Sequence, residues 1–372
     1  MRKKVALVIS SNELSNWSGG FSYYKNLVKI ILQIQNLDLI IYTDSKDYIS
    51  KMGLGNQLNI KELLCLQKNI IFYFRKIINL IFKKDLVLYF ILLRDKIDIL
   101  SHRRLFINQK IKIFGWIPDL QNKVLKIFFD EFSLKKRESY INEEINKSNF
   151  IFVSSIQVKK EFKRYYNLKK TILPLRIPSS YSSISKKKLK NFILFPSQFW
   201  KHKNHQYIIN VSKILKQKKI KVKFIFCGKI DDYRNKNNFQ IINNEIKKNK
   251  LEDYIQNLGE VSYKKLIKMQ SECMAFVNPS FYEGWSTINE EARSLNKYIF
   301  LSNIPGHVEQ KNYGSIFFDI NDPKSLVIQI KKFLKKKTYK KNNLLKKNDL
   351  FKKKINNEAI KILSEVYLKN EI

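Results

Sequence analysis

A chain of 372 residues exceeds what one hydrophobic core usually organises, so two domains of about 150 to 200 residues are expected, and its 44% hydrophobic content excludes a mostly disordered chain. The 71 basic and 32 acidic residues give a net charge of +39, which raises nucleic acid or an anionic membrane as partners. Lysine supplies most of that charge and, with Asn and Ile, is spread along the whole chain, the pattern of codon bias in an A/T-rich genome rather than of a concentrated patch.

The start, MRKKVALVIS, has an apolar run that stops at Ile9 with Glu13 soon after, so it reads as a first strand rather than a leader. Gly19-Gly20 then forms a loop, and FSYYKNLVKIILQIQ carries Leu27, Ile30, Ile31 and Ile34 at helical spacing. LDLIIYT (37 to 43), KIDIL (96 to 100), IKIFGW (111 to 116) and NFIFVSS (149 to 155) read as further strands. The apolar stretch LVLYFILL (86 to 93) is flanked by Lys84, Asp85, Arg94 and Asp95 and is too short to span a bilayer. LPLRIPSSYSSISKKKLK (173 to 190) mixes Pro, Ser and Lys without periodicity, as a linker does.

Beyond it the alternation restarts. FILFPS (192 to 197), KVKFIFCG (221 to 228), MAFVNPS (274 to 280), YIFLSN (298 to 303) and SIFFD (315 to 319) read as strands, with helices near 204 to 217 and 239 to 250 and an amphipathic helix in INNEAIKILSEVYL (355 to 368). Strands alternating with helices predict parallel α/β sheets. Cys65, Cys227 and Cys273 are far apart and lack metal-ligand spacing, which predicts free thiols.

Three carboxylates crowd FYEGWSTINEEARSLNK (281 to 297). Thr287 and Glu290 fit the N-cap and N3 positions of a capping box, which gives Glu290 a structural role. On the same helix Ile288, Ala292 and Leu295 share one face, Glu291 lies beside that stripe and Glu290 opposite. Glu283 follows a strand, at the end where open α/β sheets bind ligands. Gly284, Trp285, Ser286 and Thr287 lie at the helix N-terminus, whose backbone amides suit a phosphate. On spacing alone, an ordinary strand-loop-helix with charged loop residues stands equally open.

Glu283 and Glu291, with seven residues between them within PSFYEGWSTINEEA, resemble the paired-glutamate motif of the retaining glycosyltransferases of family 4. FPSQFWKHKNH (195 to 205), LGEVSYKKLIKMQSECMAFVNPS, LSNIPGHVEQ and, in the first half, GWIPDLQ (115 to 121) resemble further segments of that family. The resemblance implies an α/β protein of GT-B fold, two Rossmann-like domains facing each other across a cleft. Residues 1–178 would form the acceptor domain, 179–190 a linker, 191–350 the nucleotide-sugar domain, and 351–372 a helix packing back on the first domain.

It also implies site roles. Glu283 would contact the donor sugar and Glu291 the nucleotide ribose, while Lys203 would bind the donor diphosphate. The usual companion of Lys203 is an arginine where this chain has Gln198, a neutral amide that cannot replace a guanidinium, so Lys201 becomes the candidate to compensate. Val261 falls on the nucleotide side. Gly19 and Gly20 match a glycine loop for acceptor or phosphates, although a plain turn would also want glycine. Asp119 either orients an acceptor hydroxyl or caps the following helix. His102, His202, His205 and His307 have neither triad nor metal spacing, so surface or packing roles are expected for all four.

The implied reaction transfers a sugar from a nucleotide-sugar donor to a glycan or lipid-linked acceptor with retention at the anomeric carbon. No Asp-x-Asp pair is present to hold an ion against a diphosphate, so neither metal nor cofactor is expected, and lysine and helix amides would carry the leaving charge. Residues 331–372 hold fourteen lysines against four acidic residues, a segment that could lean on an anionic membrane from the cytoplasmic side. The alternatives are a GT-B epimerase or phosphorylase, for which the glutamate pair and the absence of a recognisable pyridoxal-lysine site speak poorly, and a basic nucleic-acid-binding protein. The latter lacks helix-turn-helix, zinc and RNA-binding aromatic signatures, so specific nucleic-acid binding is not expected.

Overall fold

The computed structural model describes residues 2–14, 18–55, 58–166, 170–179, 189–232, 234–235, 237–336 and 345–369. Residues 180–188, most of the expected linker, and the lysine-rich 337–344 lie outside them. The chain divides into two compact units, one comprising Met1–Leu120, Lys135–Pro178 and Lys354–Ile372, the other Gln121–Leu134 and Ser179–Lys353.

Seven parallel strands form the sheet of the first unit: β1 (Lys3–Ile9), β2 (Leu37–Thr43), β3 (Asn59–Glu62), β4 (Ile99–Ser101), β5 (Lys112–Ile117), β6 (Phe150–Val153) and β7 (Ile172–Pro174). Their order is β3-β2-β1-β4-β5-β6-β7. Alternate side chains of β1 feed opposite faces: Val5, Leu7 and Ile9 pack with Leu27, Phe114 and Phe152, whereas Ala6 and Val8 pack with Leu88, Leu92 and Ile113. Burial on both faces is why these strands read as continuous apolar runs. Ala359, Leu363, Val366 and Tyr367 join the first of the two clusters.

The second unit has six parallel strands: β8 (Lys190–Pro196), β9 (Lys223–Cys227), β10 (Ile255–Asn257), β11 (Cys273–Asn278), β12 (Tyr298–Ser302) and β13 (Ser315–Phe318). They run in the order β10-β9-β8-β11-β12-β13. Phe195, Phe226 and Val277 face one core cluster, while Leu194, Phe276 and Leu301 face the other with Ile288 and Ala292.

Three strands, β3, β7 and β10, are absent from the sequence reading. All three are sheet edges, where short, half-exposed strands carry no apolar pattern to read. Because β7 occupies Ile172–Pro174, the Pro/Ser/Lys stretch starting at 173 begins inside the sheet. Gly19 and Gly20 also differ from expectation. They stand in the first turn of the Ser18–Ile31 helix rather than in a loop, since buried Tyr23 and Tyr24 extend its inner face back towards the N-terminus. All three cysteines are free and buried. No helix among the described residues is long and apolar enough to cross a membrane.

Candidate active site

Each sheet reverses its strand order at one place, between β1 and β4 in the first unit and between β8 and β11 in the second. Ligands of open parallel sheets bind outside the carboxyl ends of the strands at such a reversal. In the second unit those ends are Pro196 and Asn278, and the loops that follow carry Lys203 and Glu283.

After β8 the chain makes a 3-10 turn over Lys201–Lys203, and Asn204, at φ 59°, turns it into the His205–Gln217 helix. Gly228, just past β9, has φ 157°, and a Cβ there would stand 2.2 Å from the Ser197 carbonyl oxygen and 2.9 Å from the Gln198 nitrogen. Only glycine allows β9 to pin this loop so closely. The Phe281 amide donates to the His202 carbonyl at 2.9 Å, tying the 201–203 turn to the loop after β11. Lys203 Nζ then reaches Glu283 Oε1 at 2.6 Å, with side-chain exposures of 15% and 9%.

A polar cage supports Glu283. The Ser280 hydroxyl lies 2.7 Å from Glu283 Oε1 and 2.6 Å from Asn278 Oδ1. Asn278 Nδ2 lies 3.4 Å from Glu283 Oε1, donates to Ser286 Oγ at 3.0 Å, and approaches His307 Nε2 at 3.1 Å. Since the amide nitrogen can only donate, His307 Nε2 accepts and its Nδ1-H faces the Ser302 carbonyl at 3.0 Å. Burial lowers His307 to about 4, Lys203 pushes the same way and Glu283 opposes, so the ring is neutral near pH 7. Burial by itself would raise the Glu283 carboxyl, yet the Lys203 charge, with the hydrogen bonds from Lys203 and Ser280, holds it below the ordinary value. Gly306 is the second glycine the site requires: a Cβ would come within 2.3 Å of the Glu283 carbonyl oxygen.

The helix after this loop runs Thr287–Ser294, with Ser286 as N-cap accepting from the Asn289 amide at 3.3 Å. Thr287 is therefore the first helical residue, not the cap, and the expected capping box with Glu290 does not form. Tertiary contacts choose Ser286 over Thr287. Asn278 donates to its hydroxyl, and Gln310 binds its backbone on both sides, accepting from the amide at 2.7 Å and donating to the carbonyl at 3.1 Å. Ser286 N is thus occupied, while the first-turn amides of Thr287 and Ile288 meet no protein acceptor among the described residues. Gly284 is buried and Trp285 half-buried beside them.

Glu290 is buried and receives both Arg293 and Gln310. Glu291, half-buried, accepts from Gln270 Nε2 at 2.7 Å, and its charge adds to burial in pushing Cys227 up to about 12 and in raising Tyr263. Val261 packs into the cluster that holds Ile288 and Ala292, so it shares the floor of this region. Lys201 is exposed, Gln198 half-buried. Sequence reasoning missed Asn278, Ser280, His307, Gln310 and Arg234. Arg234 is buried between the Trp200 and Phe129 rings, at 4.7 and 4.9 Å, pairs with Asp232 at 3.0 Å and donates to Gln121 at 2.6 Å.

Asp119, Gly19 and Gly20 belong to the first unit. Asp119 is ion-paired with Arg137. At the β1/β4 reversal of that unit lies a cavity of about 970 Å³ lined by Ser10, Asn12, His102, Arg103, Arg104 and Glu144, among others. His102, at φ 60°, is buried between the Tyr23 hydroxyl at 2.9 Å and Ser101 Oγ at 2.8 Å, and burial lowers it to about 3. All four histidines are buried, none on the surface.

Residues 180–350 match the model of the family described as Glycosyl transferases group 1, a stretch within the second unit. The chain is 27% identical over 189 residues to the O-antigen chain mannosyltransferase RfbU of Salmonella typhimurium, a match covering 50% of this chain and about half of the relative's length, 51%. Two solved structures share the whole fold. A glycosyltransferase from Rickettsia africae superposes with a TM-score of 0.63 at 16% identity, covering 99% of this chain and 98% of that one. Anabaena HepE, solved in complex with UDP and glucose, gives a TM-score of 0.69 at 11% identity over 98% and 100% of the two chains. The fold is GT-B, with two Rossmann-like domains.

Proposed function

We propose that the protein is a retaining glycosyltransferase that moves a sugar from a nucleotide-sugar donor to a glycan or lipid-linked acceptor in surface polysaccharide or lipopolysaccharide synthesis. The observation that carries the reading is the pair of half-buried Lys203 and buried Glu283 beside the open amides of Thr287 and Ile288, at the strand-order reversal of the second unit. A lysine and a helix N-terminus together suit a diphosphate. A carboxylate held ionised by its cage suits the hydroxyls of the attached sugar. Glu291, with a carboxylate on the same helix, takes the ribose, and Val261 the nucleotide side.

RfbU is named a mannosyltransferase of O-antigen chains and HepE was solved with UDP and glucose; both support the class of donor and product proposed here. On this reading the acceptor belongs to the first unit, with Asp119 held by Arg137 as the group that orients its hydroxyl, and departure of the diphosphate is assisted by Lys203 and the helix amides without a metal or other cofactor. The test is a panel of sugar nucleotides. Thermal shift should single out one donor, and release of nucleoside diphosphate should rise when a polysaccharide or lipid-linked acceptor is added. Donor conversion to an epimer, or salt-sensitive duplex binding with no sugar-nucleotide affinity, would overturn the reading.

A further inference from the structure

The Ile70–Phe82 helix of the first unit, IIFYFRKIINLIF, is built the wrong way round for a globular core. Ile70, Tyr73, Phe74, Ile77, Leu80 and Ile81 follow the spacing of one helical face, and each residue is between 55% and 85% exposed. By contrast, the His205–Gln217 helix hides Ile208, Ile209, Val211 and Leu215. Contiguous apolar surface of this kind marks a contact with something outside the chain.

The helix is firmly seated on its other side. Asn69 caps it, accepting from the Phe72 amide at 3.0 Å. Arg75, the one buried residue of the helix, forks onto Asp85, with Nε to Oδ1 at 2.9 Å, and donates to the Cys65 carbonyl at 3.2 Å. The exposed stripe is therefore a presented surface. Lys68, Lys76, Lys83 and Lys84, all exposed, stand at its ends and along its edge.

We propose that this helix is an interfacial anchor that lies in the surface of an anionic bilayer, its apolar stripe at the acyl boundary and its lysines among the headgroups. Thirteen residues make a helix about 20 Å long, short of the roughly 30 Å needed to span, and an apolar face edged by lysines is the composition of a helix that lies flat. Charge decides the occupant. A second copy would bring another chain of net charge +39 onto a lysine-edged face, which is repulsive, whereas anionic lipid is complementary to it. Phe72, Arg75 and Asn79 on the inner side of the helix line the cavity of the first unit, and so do Leu80 of the stripe and the flanking Lys76, Lys83 and Lys84, so anchoring brings one rim of that cavity to the lipid surface. The inference does not depend on the sugar-transfer reading, because binding to lipid is measured without turnover.

The experiment is co-sedimentation of the full chain with vesicles of phosphatidylglycerol and phosphatidylcholine in equal amounts, against vesicles of phosphatidylcholine alone. The wild type should bind the anionic vesicles and retain part of that binding at about 1 M salt, where coulombic attraction is screened within a few ångströms. Phe74→Glu/Ile77→Glu should weaken binding at least about tenfold and abolish the salt-resistant part, and Lys83→Glu/Lys84→Glu should weaken it at low salt. Ile127→Glu, at an equally exposed apolar position of the second unit, should leave it unchanged. Equal binding by wild type and Phe74→Glu/Ile77→Glu, or none by wild type, overturns the proposal. So does a lipid-free wild-type dimer that Phe74→Glu/Ile77→Glu converts to monomer, which would make the stripe a self-association face.

Discussion

Replacing Glu290 with glutamine tests the structure against the sequence in one substitution. As an N3 capping residue, Glu290 would contribute about 1 kcal/mol or less. In the structure Arg293 Nη1 lies 2.6 and 2.7 Å from its two carboxylate oxygens, and both side chains are 2% exposed. Gln310 Nε2 donates to Glu290 at 2.9 Å, Arg293 Nη2 donates to the Gln310 carbonyl at 2.8 Å, and the Phe351 ring closes the guanidinium at 4.1 Å. Removing one charge leaves a buried guanidinium uncompensated, which costs about 3–5 kcal/mol. For a domain of about 150 to 250 residues, even 3 kcal/mol is a fall of about 6–12 °C in Tm. Glu291→Gln, half-buried and one residue on, should cost less than about 0.5 kcal/mol while weakening donor binding. Glu290→Met/Arg293→Met should recover most of the loss, because an apolar pair needs no compensation. Thermal scans combined with hydrogen exchange on peptides spanning Cys273–Ser302 would localise the effect to the second unit. A loss below about 1 kcal/mol for Glu290→Gln would refute the buried-pair account and restore the cap.

Lys203→Ala should lower single-turnover transfer at saturating donor at least about tenfold, or about 1.4 kcal/mol of transition-state stabilisation, with Gln198→Arg tolerated; wild-type turnover in Lys203→Ala would remove the 195–205 segment from the donor site. Transfer should persist in excess EDTA, and complete loss with rescue by magnesium or manganese would refute neutralisation by lysine and amides. Burial lowers His102 and His205 to about 3 and His307 to about 4, whereas unfolded histidine binds protons near pH 6.5. Between about pH 6 and 4 the unfolded state therefore takes up more protons and stability falls by up to about 1.4 kcal/mol per pH unit for each ring; Glu283, held low, adds a loss only as pH falls through its folded value. Urea midpoints should drop steeply over that window, and a flat profile would show that these rings are not buried neutral. Gly306→Ala, which sets a Cβ 2.3 Å from the Glu283 carbonyl, should cost about 1–3 kcal/mol and lower turnover, and a variant indistinguishable from wild type would show that this close approach is not maintained.

Central strands were legible because a parallel sheet buries both their faces, and VALVI or MAFVN has no other use. Three of the four edge strands were not: NIKE, ILP and IQN carry too little apolar pattern to separate them from loops, whereas the edge strand SIFF carries enough. The Ile70–Phe82 helix escaped the reading for a related reason, since its apolar stripe faces outward and signals a partner rather than a core. At the site, helix phase correctly set Ile288 and Ala292 inward and Glu291 beside them. It failed for Glu290 because the side opposite that stripe is covered by Gln310 and Phe351, far along the chain. The choice of Ser286 over Thr287 as cap was invisible for the same cause: both are good caps, and contacts from Asn278 and Gln310 decide between them. His307 stood within LSNIPGHVEQ but lacked any local spacing that marks it. A polar Asn278 ending an apolar strand, and the Pro305-Gly306 helix start, were the signals that could have drawn attention to that corner.

The charge arrangement around Lys203 explains why a neutral Gln198 can stand where a guanidinium is expected. Arg234 is committed to Asp232, Gln121 and two aromatic rings, and Lys201 points into solvent, where its field is screened. Lys203, by contrast, is half-buried and directed at the site, and it rests on Glu283. On the proposed reading, an incoming diphosphate competes for that ammonium, and the exchange is feasible because Glu283 keeps Ser280 and Asn278 when Lys203 turns away. The carboxylate then has a free lobe for sugar hydroxyls while the diphosphate gains Lys203 and the partial positive charge of the Thr287–Ser294 helix. One cation thus serves two states, holding Glu283 ionised before the donor arrives and neutralising the leaving group afterwards.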